Sequence, residues 1–464
     1  MAGADFQSPG DHSAPITSVG VLGLWHLGCV TAACLAEGGL EVVATDPDAA
    51  VVAGLLDDHP PVAEPGLAEL LARGRHAGRL SFHGLTDHPL RHADAVWIAF
   101  DTPVDDDDHA DAEWVIDEAY RALLHANQGA LVIVSSQLPV GSTSRLAERL
   151  ASSGRDDLEF ACVPENLRLG EALSTFRSPD RFVAGVRGQQ ERDRLEPLLS
   201  RFSERIEWMG VESAEMTKHA LNAFLATSVA FINEIASLCE AVGANASEVS
   251  RGLKSDRRIG ARAYLAPGDV FAGGTLARDI DALENLGADE HLPVGLIAGV
   301  AVSNQAHRSW ARRALLALLA ADVKPGVADA NADDDARRLL AGRRIAVWGL
   351  TYKPGTDTLR RSSALEMCGW LSEHGAFVRV HDPAVAVLPN GAGDRLELCD
   401  TPLGTAKNAD ALVMCTPWPE YREVDPRELA AAMRRPIVVD AGGHLRASVA
   451  SVPSIRYAQV GTRP

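Results

Sequence analysis

Hydrophobic positions along the chain change period in a regular order. Ser18–Leu24 is a nearly unbroken apolar run interrupted by glycine, an Ala- and Leu-rich stretch of helical spacing follows to Glu37, Gly38-Gly39 stop it, and Glu41–Ala44 resumes a strand pattern that ends at Asp46. Strand, helix and strand in that order predict a βαβ unit with a short return turn. Further strands are predicted at Ala95–Phe100, Ala130–Ser135 and Glu159–Val163, each separated by helix-like sequence, which implies a parallel sheet running to about residue 207. From Ser213 to Val242 an amphipathic pattern continues almost without a breaker, and helix-compatible sequence extends past Ala301. Residues 208–320 are therefore expected to form a helical unit, and a helix that long packs on another subunit or bridges two domains. Asp, Ala and Pro crowd the region that follows, so 321–340 reads as a linker. Arg344–Trp348, Phe377–Val380, Ala411–Cys415 and Ile437–Val439 then restore the strand–helix rhythm over 341–464. The expected fold class is α/β, with doubly wound domains at 18–207 and 341–464 flanking a central helical domain, behind a disordered N-terminus of residues 1–17.

Composition narrows the partners. The chain has 464 residues, too many for one core, and a formal charge of −19, which opposes nucleic acid and anionic membranes as partners. An anionic ligand must then meet a local basic pocket. Residues 1–17 lack an apolar signal core and no stretch reads as a membrane span, so a cytoplasmic protein is expected. Seven cysteines are scattered without a CxxC pair, and neither a disulfide framework nor a zinc site is indicated. The run Asp105-Asp106-Asp107-Asp108-His109 reads as a solvated loop, and no metal site is expected.

Candidate chemistry begins at Gly23-Leu24-Trp25-His26-Leu27-Gly28, an imperfect G-x-G-x-x-G at a strand-to-helix junction. Such a turn aims a helix N-terminus at a pyrophosphate, and Gly23, Trp25, His26, Leu27 and Gly28 are candidate cofactor positions in a Rossmann-like domain. Trp25 stands where the second glycine is normally needed; Trp25 and His26 themselves are read as packing residues. Asp46, at the end of the second strand, suits a ribose 2′-hydroxyl and would repel a 2′-phosphate, which favours NAD over NADP. Without a phosphate ligand the same residues would make a plain βα turn with a solvent-exposed Asp46.

A series of further motifs occurs in order: Glu64-Pro65-Gly66-Leu67, Thr102-Pro103, Pro139-Val140-Gly141, Pro164-Glu165-Asn166-Leu167-Arg168-Leu169-Gly170, the segment TKHALNAFLATSVAFINEIA that holds Lys218 and Asn222, the loop PGDVFAGGTLARD from Pro267 to Asp279, and Gly349–Asp357 followed by Leu359-Arg360. From about Ser18 to about Gly442 the chain resembles the UDP-glucose/GDP-mannose dehydrogenase family. That resemblance implies NAD-dependent oxidation of a nucleotide-sugar hydroxyl by a homodimer joined through the central helices. It puts Thr102, Pro103 and Gln137 in the cofactor cleft. Lys218 and Asn222, four residues apart on one helix face, become an oxyanion clamp, with Asp279 to orient water or accept the hydroxyl proton and Glu165 for acid–base steps. Glu165, Leu167, Arg168, Lys218, Asn222, Gly274, Lys353 and Arg360 become substrate contacts, and Arg258 would reach the neighbouring subunit's sugar site, although one extra residue separates it from the loop.

Several positions depart from the family pattern. Thr275 replaces the catalytic cysteine, Gln137 a threonine, Leu169 a glutamate and Trp25 a glycine, while Asp440-Ala441-Gly442-Gly443 has lost the arginine of the corresponding turn. A thiolate can trap an aldehyde for a second hydride transfer; a threonine hydroxyl of much higher pKa cannot without a relay. The expected reaction is therefore a two-electron oxidation to a ketone or aldehyde. Its rivals are four-electron oxidation to a uronic acid and a catalytically silent nucleotide-sugar-binding protein, against which the retained Lys218, Asn222 and Asp279 argue.

Overall fold

The computed structural model describes residues 15–105, 110–271, 274–321, 332–359, 362–389 and 395–463. It separates into two compact units, 1–221 and 222–464.

In the first unit, strands β1 (Ser18–Leu22), β2 (Glu41–Asp46), β3 (Leu80–Gly84), β4 (Ala95–Ile98), β5 (Leu131–Val134), β6 (Glu159–Cys162), β7 (Phe182–Val186) and β8 (Ile206–Met209) form one sheet in the order β3-β2-β1-β4-β5-β6-β7-β8. Successive side chains serve opposite faces. Ala95 and Trp97 of β4 enter the core beneath helix His26–Glu37, and Val96 and Ile98 enter the core beneath helix Ala112–Leu123. All pairs are parallel except β6 with β7, which run antiparallel. The strands read from the sequence, β1, β2, β4, β5 and β6, are parallel as expected, and the antiparallel pair involves β7, which was not among them. The β6–β7 connection contains the helix Ala172–Arg177, of 6 residues.

In the second unit, β9 (Arg344–Trp348), β10 (Phe377–His381), β11 (Leu396–Leu398), β12 (Ala411–Met414), β13 (Ile437–Asp440) and β14 (Arg456–Ala458) are ordered β11-β10-β9-β12-β13-β14, all parallel. Helices Trp310–Ala320 and Ser363–Glu373 cover one face together with Ala236 and Cys239 of the long helix Val211–Val242. Within the stretch expected as a linker, Ala332–Leu340 is a helix with Leu340 buried in that same core.

Contrary to the expectation that no segment resembles a membrane span, helix Val211–Val242 is long and apolar enough to cross one by length and composition. Its apolar side chains divide between the core, as with Ala223, Ala226 and Ala230, and an exposed stripe at Phe224, Phe231, Leu238 and Val242.

Candidate active site

The strand-to-helix turn after β1 is built around two glycines. Gly23 has φ +95°, and a Cβ there would meet the Phe100 backbone at 2.8 Å; a Cβ on Gly28 would lie 1.7 Å from the Gly23 carbonyl. Strand and helix thus approach to a distance that only glycine permits at both positions. Trp25 caps helix His26–Glu37 without a side-chain bond, and its indole is 48% exposed. The packing expectation for Trp25 is corrected, since the indole faces solvent. His26 is also more than filler: Nε2 lies 3.0 Å from Glu64 Oε2. Glu64 is buried and also accepts the amides of Gly170 and Ala172, each at 2.8 Å. One buried carboxylate therefore ties the glycine turn to the segment following Glu165.

Asp46 is buried, 8% exposed, where a plain βα turn would have left it in solvent. Its Oδ2 accepts the Leu24 amide at 2.6 Å and its Oδ1 the Asp48 amide at 2.8 Å. Burial pushes its carboxyl above the usual range, and the two amides oppose that shift. The second sheet repeats this arrangement. Gly349 has φ +87°, its amide donates to His381 as that of Gly23 does to Thr45, and Asp382, just past β10, accepts the Leu350 and Thr351 amides at 2.7 and 2.9 Å. An acid at or just past the end of the second strand thus pins the turn after the first in both sheets.

Thr102 is buried and donates its hydroxyl to the Gln137 carbonyl at 2.7 Å, so those two predicted cofactor positions are joined; the Pro103 carbonyl accepts the Asp111 amide at 2.8 Å. Glu165 follows β6. Lys218 Nζ donates to the Glu165 carbonyl at 2.7 Å and to Glu165 Oε1 at 3.0 Å, while Oε2 accepts the Leu167 amide at 2.7 Å. Gln137, Glu165 and Lys218 border a cavity of about 20 Å³, enough for one water. Leu167 backs onto the first core, and Arg168 is exposed.

In the second unit, Asn222 Nδ2 donates to Asp279 Oδ2, and Asp279 is 1% exposed. Asp279 lies in helix Thr275–Asp289, which starts after Gly274 at φ 124° and ψ −145°, a backbone conformation reserved for glycine. Thr275 is the first helical residue, one turn before Asp279 and on the same face. Asp269 is exposed and lines a cavity of about 190 Å³; the protein packed around that cavity, with Asp440 nearby, pushes its carboxyl up to about 7. Lys353 lies in the turn after Gly349. Arg258 is exposed and paired with Asp256 at 2.7 Å. Arg360, and residues 106–109 of the acidic run, lie outside the described residues.

Sequence reasoning overlooked Asp101, whose Oδ2 accepts the Leu27 amide at 3.1 Å, and the buried acids Glu64 and Asp382. For Asp101 and Asp382 the available signal was an acid shortly after a predicted strand, the same signal that selected Asp46. Glu64 sat inside a recognised motif but showed no sign of its distant amide partners.

The two glycine positions, Asp46 and Thr102 fit a dinucleotide. When bound it accepts a hydride, and the chain is an NAD-dependent oxidoreductase acting on a CH–OH donor. It belongs to the UDP-glucose/GDP-mannose dehydrogenase family, whose NAD binding domain matches residues 17–203, central domain 212–306 and UDP binding domain 346–447. The chain is 34% identical to UDP-glucose 6-dehydrogenase of Pseudomonas aeruginosa over 434 residues, covering 90% of this chain and 92% of that one. It is 33% identical to UDP-glucose 6-dehydrogenase of Rhizobium meliloti, with coverage of 95% and 98%. Among solved structures, a UDP-glucose dehydrogenase from Pyrobaculum islandicum superposes with TM-score 0.81 at 29% identity over 98% of this chain and 99% of that one. The UDP binding domain at 346–447 makes the substrate of the present chain a nucleotide sugar.

Proposed function

We propose that this enzyme removes one hydride from a hydroxyl-bearing carbon of a nucleotide-diphosphate sugar and releases a ketone or aldehyde without forming a carboxylate. The observation that carries the reading is Thr275 at the head of helix Thr275–Asp289, next to Gly274. None of the seven thiols takes over the missing role: Cys29, Cys34, Cys162, Cys239 and Cys368 are buried, and burial raises the thiols of Cys399 and Cys415, the opposite of nucleophile activation.

The roles follow from the donor inventory. An ammonium has three N–H groups and an amide two. Lys218 commits two to Glu165 and Asn222 commits one to Asp279, leaving one donor on each. Standing one turn apart on a single helix, both serve the substrate oxygen as negative charge develops there. Asp279 holds the amide and receives the hydroxyl proton, so the CH–OH carbon loses a hydride, its oxygen loses a proton and C=O remains.

Four-electron oxidation to a uronic acid is the second reading, favoured by the named activity of the relatives and by the water-sized cavity beside Glu165 and Lys218, which a hydrolytic step would use. The ratio of NADH formed to sugar consumed, with the product mass, separates the two. One NADH per sugar is expected; two, with a new carboxylate, would overturn the proposal.

The working unit in this reading is a cytoplasmic homodimer. Phe224, Phe231, Leu238 and Val242, at spacings of seven, seven and four, expose one apolar stripe on helix Val211–Val242, and such a stripe is what a second copy would cover. A monomer in sedimentation equilibrium would refute this assembly.

A further inference from the structure

Taking the substrate as a nucleotide sugar, whether one hydride leaves it or two, we propose that Asp269 selects a ribonucleotide: its carboxylate accepts the 2′- and 3′-hydroxyls of the substrate's ribose. Asp269 is exposed, and the space it faces is a cavity of about 190 Å³ bordered also by Met414 at the end of β12 and Ala441 just past β13. β12 lies beside β9, where the order of the second sheet reverses. In doubly wound sheets a ligand enters the crevice beyond the strand ends at such a reversal, and this is the sheet of the UDP binding domain.

Buried neighbours fix the backbone that carries this acid. Asn233 accepts the Gly268 amide at 3.0 Å and donates to the Asp269 carbonyl at 3.2 Å, His307 Nε2 donates to the Gly268 carbonyl at 2.9 Å, and Asn304 pairs with the amide and the carbonyl of Phe271 at 3.1 and 2.9 Å. Asn233, Asn304 and His307 are all buried. The Asp269 carboxylate itself accepts no hydrogen bond from the described residues. The turn Asp440–Gly443, which lacks the arginine of the family pattern, brings it no cation. A Cβ on Gly442 would lie 3.6 Å from Asp269 Oδ2, so glycine there leaves that side of the carboxylate open. Its carboxyl, raised to about 7, behaves as an acid short of partners rather than one satisfied within the fold.

A carboxylate offers acceptors only, so its ligand must present donors, and two adjacent donors engage both oxygens. In UDP the diphosphate has no donor and is repelled by the acid. Uracil has a single N–H flanked by two carbonyls that would face the carboxylate. The ribose presents two hydroxyls side by side, and an acid receiving a ribose hydroxyl is how doubly wound folds recognise NAD. Arg308 and Arg312 border the same cavity and supply positive charge for the diphosphate in a chain of net charge −19. The pair of Arg308 with Glu366, 3.4 Å apart and partly exposed on both sides, is weak enough to open.

The test is calorimetry on the full chain at pH 8, where the Asp269 carboxylate is ionised, with UDP and GDP, each beside its 2′-deoxy analogue, and with UDP-glucose. Wild type should bind the ribonucleotide at least about tenfold tighter than its deoxy analogue, as expected for one hydrogen bond to a charged group. Asp269→Ala should cut that ratio to about twofold or less, and Asp269→Asn, which keeps a neutral acceptor, should leave it in between. NAD binding should be the same in wild type and both variants, showing that the variants fold. Equal wild-type affinity for the ribonucleotide and its deoxy form would overturn the assignment, as would a wild-type ratio retained in Asp269→Ala. Weakening of UDP-glucose without weakening of UDP in that variant would put the carboxylate on a hexose diol and overturn it too. Binding of neither nucleotide by wild type would refute the nucleotide-sugar substrate itself, which the other outcomes leave standing.

Discussion

Replacing Asp46 by alanine should destabilise the protein even when no cofactor is present. The carboxylate accepts two amides, those of Leu24 at 2.6 Å and Asp48 at 2.8 Å. Leaving a buried donor unpaired costs about 1–3 kcal/mol. Leu24 is fully buried, with 0% exposure, so its amide bears the whole loss, whereas water can reach the Asp48 amide. Relief from burying an ionised carboxylate offsets part of the loss, consistent with the upward shift of the Asp46 carboxyl. The net expectation is about 2 kcal/mol, a sizeable part of the 5–15 kcal/mol that holds a typical domain together. Asp382→Ala in the second sheet is the internal comparison: Oδ2 there accepts Leu350, Thr351 and Trp418 Nε1 at 2.7, 2.9 and 3.0 Å. Its loss should be larger, about 4 kcal/mol, and should leave NAD binding unchanged. Urea unfolding of the cofactor-free protein measures both stabilities, and calorimetric titration of NAD and NADP on the folded variants measures preference. If Asp46→Ala shifts stability by less than about 0.5 kcal/mol while erasing the preference for NAD, the carboxylate serves the ribose alone and the shared turn-pinning role is wrong.

Lys218→Ala and Asn222→Ala should each lower kcat by about 10²-fold or more with substrate Kd little changed, because their remaining donors act on the developing alkoxide; steady-state kinetics with an unchanged kcat would return that residue to a structural role. Asp269, raised to about 7 from an ordinary carboxylate value, binds a proton more tightly folded than unfolded. Its effect is therefore most favourable below about pH 4 and declines until pH passes about 7. Asp269→Asn should flatten the fall in thermal midpoint between pH 5 and pH 8, and parallel wild-type and variant curves would refute this.

The parts of this protein determined by sequence alone are those in which a single element carries its own signal. β1, β4, β5, β9, β12 and β13 are interior strands, buried on both faces, and appear as apolar runs; Gly23 and Gly28 show themselves because no other residue tolerates that approach; Lys218 and Asn222 share a helix face by spacing. The strands overlooked include the edge strands β3, β8, β11 and β14, whose burial is mixed because one edge has no neighbouring strand. β7 was missed as well, and its antiparallel pairing with β6 left no local mark in the sequence. Tertiary structure alone decided which charges meet. Glu64 accepts amides more than a hundred residues away, Asp101 reaches the Leu27 amide from another strand, and Asp46 and Asp382 prove to be the same device in two sheets without an obvious repeat between them. A local pattern reports burial and periodicity, which neighbouring residues share; the partner of a carboxylate depends on which strand ends the sheet order brings together, and only the folded chain specifies that.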